Sequence, residues 1–154
     1  MNKPLTEFVC DCCGQIIKNP NEGVLEYIEV ENPKGSEIYL GKEYKIVHNN
    51  NYTSKDSCRI HRNKIGIRDL GLNELLNDDY GTGAIITLIG TSENDSIVIH
   101  SDLLECLRRL TVPYYDEAKF YFNEALEDGF IGDNQLDFCK VSKLKEIIMR
   151  YSRR

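Results

Sequence analysis

The chain has 154 residues, 41% apolar and 29% charged, with a formal net charge of −6. This composition fits a folded, water-facing protein and excludes a disordered acidic chain, and no apolar run approaches the ~18 residues of a membrane span. The negative charge also argues against a general nucleic-acid coat, whose affinity comes from neutralising phosphates.

The first residues, Met1-Asn2-Lys3-Pro4-Leu5-Thr6-Glu7, lack the apolar stretch of a secretory signal. A cytoplasmic address is therefore expected, and thiols stay reduced there. Six cysteines in that setting point toward metal or chemistry before disulfides.

Three zones follow one another. In the first, about residues 6–66, Val24-Leu25-Glu26-Tyr27-Ile28-Glu29-Val30 is rich in β-formers and Asn32-Pro33-Lys34-Gly35 supplies turn chemistry. Glu43-Tyr44-Lys45-Ile46-Val47-His48 alternates as a half-buried strand does. In the second zone, about 67–99, Leu70, Leu72, Leu75 and Leu76 suggest a short helix. The β-branched content of Ala84-Ile85-Ile86-Thr87-Leu88-Ile89 favours a strand, yet a buried helix has the same continuous apolar look, and the segment is left open between them.

From about residue 100 the pattern is helical. Ser101 can cap a helix carrying Leu103, Leu104, Leu107 and Leu110, with Asp102 at its positive end. Pro113 suits the first turn of a second helix, whose stripe is Ala118, Tyr121, Phe122 and Ala125 and whose stop is Gly129. Phe130 to Val141 reads as a hairpin turning at Gly132-Asp133-Asn134, and a last helix begins at Ser142 with Leu144, Ile147, Ile148 and Tyr151 on one side. The expected fold class is α+β. A zinc-ribbon-like β module over residues 1–66 precedes a mainly helical module over 67–154, with a winged-helix-like form as one arrangement of the latter.

The chemistry concentrates in the first module. Cys10-Asp11-Cys12-Cys13-Gly14 holds Cys-x-x-Cys-Gly, in which a two-residue spacer turns both sulfurs toward one ion and the glycine accepts a positive φ. Cys58-Arg59-Ile60-His61 repeats the spacer with an imidazole as last donor. The expected ligands of a structural Zn²⁺ are therefore Cys10, Cys13, Cys58 and His61, a closed four-donor set with no catalytic residues assigned. The 44 residues between Cys13 and Cys58 suit a ribbon with an inserted hairpin. Structural zinc is worth about 10–16 kcal/mol in finger peptides, enough to fix a zone poor in aliphatics. Cys12 is an alternative donor without the glycine that follows Cys13. His48 is a candidate ligand or a neighbour of the ligands, although at a strand end an ordinary packed or exposed histidine is the expectation, and Cys106 and Cys139 are expected to be core thiols.

Two partial likenesses bear on function. The cysteine pair, His48-Asn49-Asn50 and Cys58-x-x-His61 together resemble His-Asn-His endonucleases, which implies a metal-dependent nuclease. Only nine residues separate His48 from Cys58, however, too few for the usual strand and turn. Leu103 to Leu110, the Thr111-Val112-Pro113 turn, a second helix and Leu126-Glu127-Asp128-Gly129-Phe130-Ile131 resemble a winged helix-turn-helix. There the second helix would read DNA, but it carries Asp116, Glu117, Glu124, Glu127 and Asp128 against Lys119 alone. Arg108, Arg109 and the tail speak for phosphate. Residues 140–154 hold six basic side chains against Glu146, a net of +5, so the remainder carries −11.

Over most of its length the chain resembles a group of small bacterial and phage proteins with an N-terminal Cys-x-x-Cys…Cys-x-x-His zinc finger. The carrying residues are Phe8-Val9-Cys10-x-x-Cys13-Gly14, Ile46-Val47-His48, Cys58-x-x-His61 and Pro113-Tyr114-Tyr115-Asp116-Glu117-Ala118-Lys119. The resemblance implies zinc binding and no particular activity. The expected function is a non-enzymatic regulatory or adaptor protein with a protein partner and no evident small-molecule substrate. The alternative is a DNA-binding transcriptional regulator, with Arg150, Arg153 and Arg154 as candidate contacts to nucleic acid or partner.

Overall fold

The computed structural model of the chain describes residues 3–31, 40–49, 58, 64–79, 81–92, 101–132 and 135–152. Its strands are β1 (Phe8–Val9), β2 (Ile16–Ile17), β3 (Gly23–Val30), β4 (Leu40–His48) and β5 (Ile67–Gly71). Its helices are α1 (Leu72–Leu75), α2 (Gly81–Ser92), α3 (Ser101–Thr111), α4 (Tyr115–Ala118), α5 (Phe122–Glu127) and α6 (Val141–Tyr151). The fold is mixed α+β, with two small antiparallel sheets. Among the described residues no helix is long and apolar enough to cross a membrane.

β3 is the central strand of the larger sheet, in the order β4-β3-β5, as its near-continuous burial from Gly23 to Glu26 requires. Val24 pairs with Val47 and Leu25 with Ile46 on one edge, while Leu25 pairs with Leu70 on the other. β5 departs from expectation, since Leu70 was assigned to a helix. Gly66 turns the chain at φ +82 and its carbonyl accepts from Glu29 N–H at 2.7 Å, which aligns the following residues with the open edge of β3. The helix starts only at Leu72. The expected division after residue 66 thus falls just before a strand that completes the β3 sheet.

The ambiguous segment from Ala84 to Ile89 lies within a helix, α2. Ala84, Ile85 and Ile89 pack on the first core, whereas Ile86 faces outward, 63% exposed. That core joins Phe8, Ile17, Leu25, Ile46 and Leu72 to Leu103, Cys106 and Leu110 of α3. α6 follows its expected stripe, and α3 follows its own except at Leu104, which is exposed while Cys106 and Arg109 are buried in its place. Asp102 supports the start of α3 and also accepts from Tyr44 N–H at 2.9 Å, so it fastens the helix to β4.

The expected second helix is broken. Tyr114 adopts φ +69, α4 ends at Ala118, a 3₁₀ turn occupies Lys119–Tyr121, and α5 resumes at Phe122. It stops as foreseen at Gly129, φ +64, where Phe130 N–H donates to Ala125 O and Gly129 N–H to Leu126 O, a Schellman arrangement. The expected hairpin over 130–141 is not formed. Gln135–Phe138 is a 3₁₀ turn, because Phe138 docks edge-on against Phe122 at 5.0 Å and Phe130 lies edge-on to Tyr151 at 6.2 Å. Aromatic packing against α5 and α6 decides this segment. With no strand there among the described residues, the wing of a winged helix has no counterpart. Asn32-Pro33-Lys34-Gly35, Asp133 and Asn134 lie outside the described residues.

One buried cation ties the small hairpin to the helices. Arg109, 2% exposed, donates through Nη1 to both oxygens of Asp11 at 2.8 and 2.7 Å, through Nε to Asp116 and through Nη2 to the Val9 carbonyl. Asp116 in turn accepts from Val9 N–H at 2.6 Å. Burial alone would weaken the guanidinium's hold on its proton, but Asp116 and Asp11 outweigh it and raise the pKa above its usual value. Removing one partner from such a network leaves an unpaired buried charge. Arg109→Leu is expected to lower the unfolding free energy by about 3–5 kcal/mol in urea titrations. Adding Asp116→Asn to that variant should recover part of the loss, because the stranded carboxylate is then neutral.

Candidate metal centre

Cys10 and Cys13 lie on the turn joining β1 to β2. Cys10 N–H donates to Gln15 O and Gly14 N–H to Cys10 O, each at 2.9 Å, and Gly14 takes φ +72. This is the turn that the Cys-x-x-Cys-Gly spacing predicts. Asp11 docks it on β4 reciprocally. Its N–H donates to Ile46 O at 2.8 Å, and its Oδ2 accepts from Ile46 N–H at 2.7 Å. Two residues further along β4, on the same face, comes His48. Its Nδ1 lies 3.5 Å from Cys13 Sγ.

Cys58 reaches the same point, and the donor atoms of Cys10, Cys13, His48 and Cys58 all lie within 4.8 Å of one another. Cys10 (1% exposed), Cys58 (7%) and His48 (9%) are buried, and Cys13 forms the exposed side. Burial pushes the Cys58 thiol up to about 12, with the neighbouring Cys13 and Cys10 adding to it. Burial also raises Cys10. At Cys13 burial acts upward too, but hydrogen bonding from Gln15 N–H and from the Cys10 and Cys58 thiols outweighs it, and the pKa falls below its usual value. Three sulfurs and an imidazole are a donor set for a thiophilic divalent cation, whose charge would stabilise the thiolates that burial disfavours.

Three of the four expected ligands, Cys10, Cys13 and Cys58, are therefore together. His61 lies outside the described residues. The histidine found in the cluster is His48, so its alternative place at the ligands stands in preference to the ordinary strand-end role expected for it. Its sequence signal was its register: Tyr44, Ile46 and His48 alternate along β4, and Ile46 is where the cysteine turn docks. Cys12 is exposed and outside the cluster. Cys106 is a core thiol, whereas Cys139 is only partly buried. Arg150 lies apart on α6, over the rings of Phe130 and Tyr151, and Arg153 and Arg154 lie outside the described residues.

Cobalt titration of the reduced protein should give the thiolate charge-transfer and ligand-field bands of a tetrahedral sulfur-rich site. Cys12→Ser is expected to leave them intact. Cys13→Ser and His48→Ala should weaken binding by at least about 10–100-fold, the cost usually seen for groups that merely orient a ligand.

Comparison with protein-family models, curated proteins and solved structures yields no match to this chain, which leaves the reading of its function to its own residues.

Proposed function

We propose that Cys10, Cys13, Cys58 and His48 hold one structural Zn²⁺ ion, and that the chain is a non-enzymatic regulatory or adaptor protein whose metal-pinned fold presents a surface to a protein partner. The observation that carries this reading is the convergence of three thiols and an imidazole within 4.8 Å. In tetrahedral zinc sites, Zn–S of about 2.3 Å and Zn–N of about 2.0–2.1 Å set neighbouring sulfur and nitrogen about 3.5 Å apart. Cys13 Sγ and His48 Nδ1 are separated by 3.5 Å. Four protein donors fill the tetrahedron and leave no place for a reacting water, which distinguishes structural from catalytic zinc. His61, from the Cys-x-x-His spacing, is the rival for the fourth position. An imidazole engaged as a ligand is not free to serve as the base of a nuclease.

A DNA-binding transcriptional regulator is the second reading, supported by α6, where Lys145 and Arg150 are exposed just after the exposed Lys140. Arg109 no longer speaks for it, since its guanidinium is committed to Asp11 and Asp116.

Elemental analysis should find one zinc per chain, lost in Cys58→Ser. Chelation should lower the melting temperature, since an ion at a thousand times its Kd stabilises the fold by about 4 kcal/mol. For partner choice, electrophoretic mobility of duplex DNA should be unchanged by the protein. A tight, salt-sensitive shift that weakens on Arg150→Gln would instead establish the regulator reading.

A further inference from the structure

On the helical side an open cavity of about 250 Å³ is lined by Arg108, Tyr115, Phe122 and Phe138. Its three rings are held by one another. Phe122 stands edge-on to Tyr115 at 5.6 Å and 71°, and to Phe138 at 5.0 Å and 80°. Such contacts favour a fixed arrangement of walls over a collapsible one. The polar groups around the cavity are already sorted. Tyr115 OH donates to Glu105 Oε2 at 2.7 Å, and Glu105 Oε1 lies 3.5 Å from Lys119 Nζ, a cation it shares with Asp116 at 3.8 Å. Arg108 differs from its neighbour Arg109. Among the described residues Arg109 holds two carboxylates, whereas Arg108 reaches the Tyr115 hydroxyl and no carboxylate forms an ion pair with it, which leaves most of its donors for a ligand.

We propose that this cavity binds the carboxy-terminal residue of a partner polypeptide, with its apolar or aromatic side chain among the rings and its free carboxylate on Arg108. Size and chemistry select this occupant. The volume falls below the roughly 300–1,000 Å³ of pockets for drug-sized ligands and suits one side chain. A guanidinium matches a carboxylate through two parallel hydrogen bonds, which an isolated ammonium cannot reproduce. An internal Asp or Glu would satisfy Arg108 but bring nothing to the rings, and an internal Phe or Leu would do the reverse. A chain end ending in an apolar residue carries both groups on one Cα. The proposal deepens the partner-binding reading and rests on it for the identity of the occupant.

The test uses the intact zinc-loaded chain and three probes, N-acetylphenylalanine, its neutral amide and phenyl phosphate, titrated by NMR. The acid is expected to bind about tenfold or more tightly than the amide, the difference that one charge-assisted hydrogen-bond pair supplies. In Arg108→Gln that preference should vanish while the thermal melt is unchanged. Equal binding of acid and amide, binding of neither, a preference that survives Arg108→Gln, or tighter binding of phenyl phosphate would each overturn the proposal. The comparison of acid with amide needs only the unaltered protein, so it decides even where a variant misfolds. The partner reading is scored separately, on a protein captured from the native host. Equal capture by the Arg108→Gln and unaltered chains would sink the cavity proposal alone. Probe binding without any specific captured partner would sink the adaptor reading alone.

Discussion

A single buried guanidinium joins α3 to the β1–β2 hairpin and to α4. It belongs to Arg109 of α3, whose contacts run to both. The hairpin has only two residues in each strand, too few to be stable alone. On the edge of β1 that β2 does not cover, Val9 N–H and C=O are taken by Asp116 and Arg109. Two side chains thereby stand in for a missing third strand. Burying a guanidinium costs several kcal/mol unless its donors are met. Here they meet two carboxylates and a carbonyl, and the planar fork of arginine is the one cationic side chain with the reach and donor count to do this.

The same network sets the geometry of the cysteine cluster. Asp11 stands between Cys10 and Cys12 and faces two ways. Its carboxylate receives Arg109 and the Ile46 N–H, while its own N–H donates to the Ile46 carbonyl. Where α3 goes, the turn bearing Cys10 and Cys13 goes too, and the turn's place on β4 brings His48 against Cys13. Zinc, as proposed, would not bind a free-standing finger. It would close a junction whose other fastenings are ionic and come from distant chain.

What could be read from the sequence was local. The Cys-x-x-Cys-Gly turn needs five consecutive residues and formed as expected, with Gly14 at positive φ. The stripes of α3 and α6 and the β-rich run of β3 repeat within a few residues and were equally plain. The misreadings depend on distant partners. His48 joins the cluster because Asp11 docks on Ile46, a relation spanning 35 residues. Leu70 became strand because β3 offered an open edge, and Phe138 left its hairpin for Phe122. Arg109 beside the apolar stripe of α3 read as a basic residue speaking for phosphate. One of its two carboxylate partners, Asp11, lies 98 positions earlier, where no periodicity points to it.

That separation has a consequence for synthesis. A ribosome adding about 5–20 residues per second takes roughly 5–20 seconds to travel from Asp11 to Arg109. Throughout that interval the nascent chain displays the knuckle thiols of Cys10 and Cys13 without the guanidinium that seats their turn. Cotranslational folding of the amino-terminal part must therefore wait for α3, and the newborn chain is most open to oxidation or to capture by the wrong metal before α3 emerges.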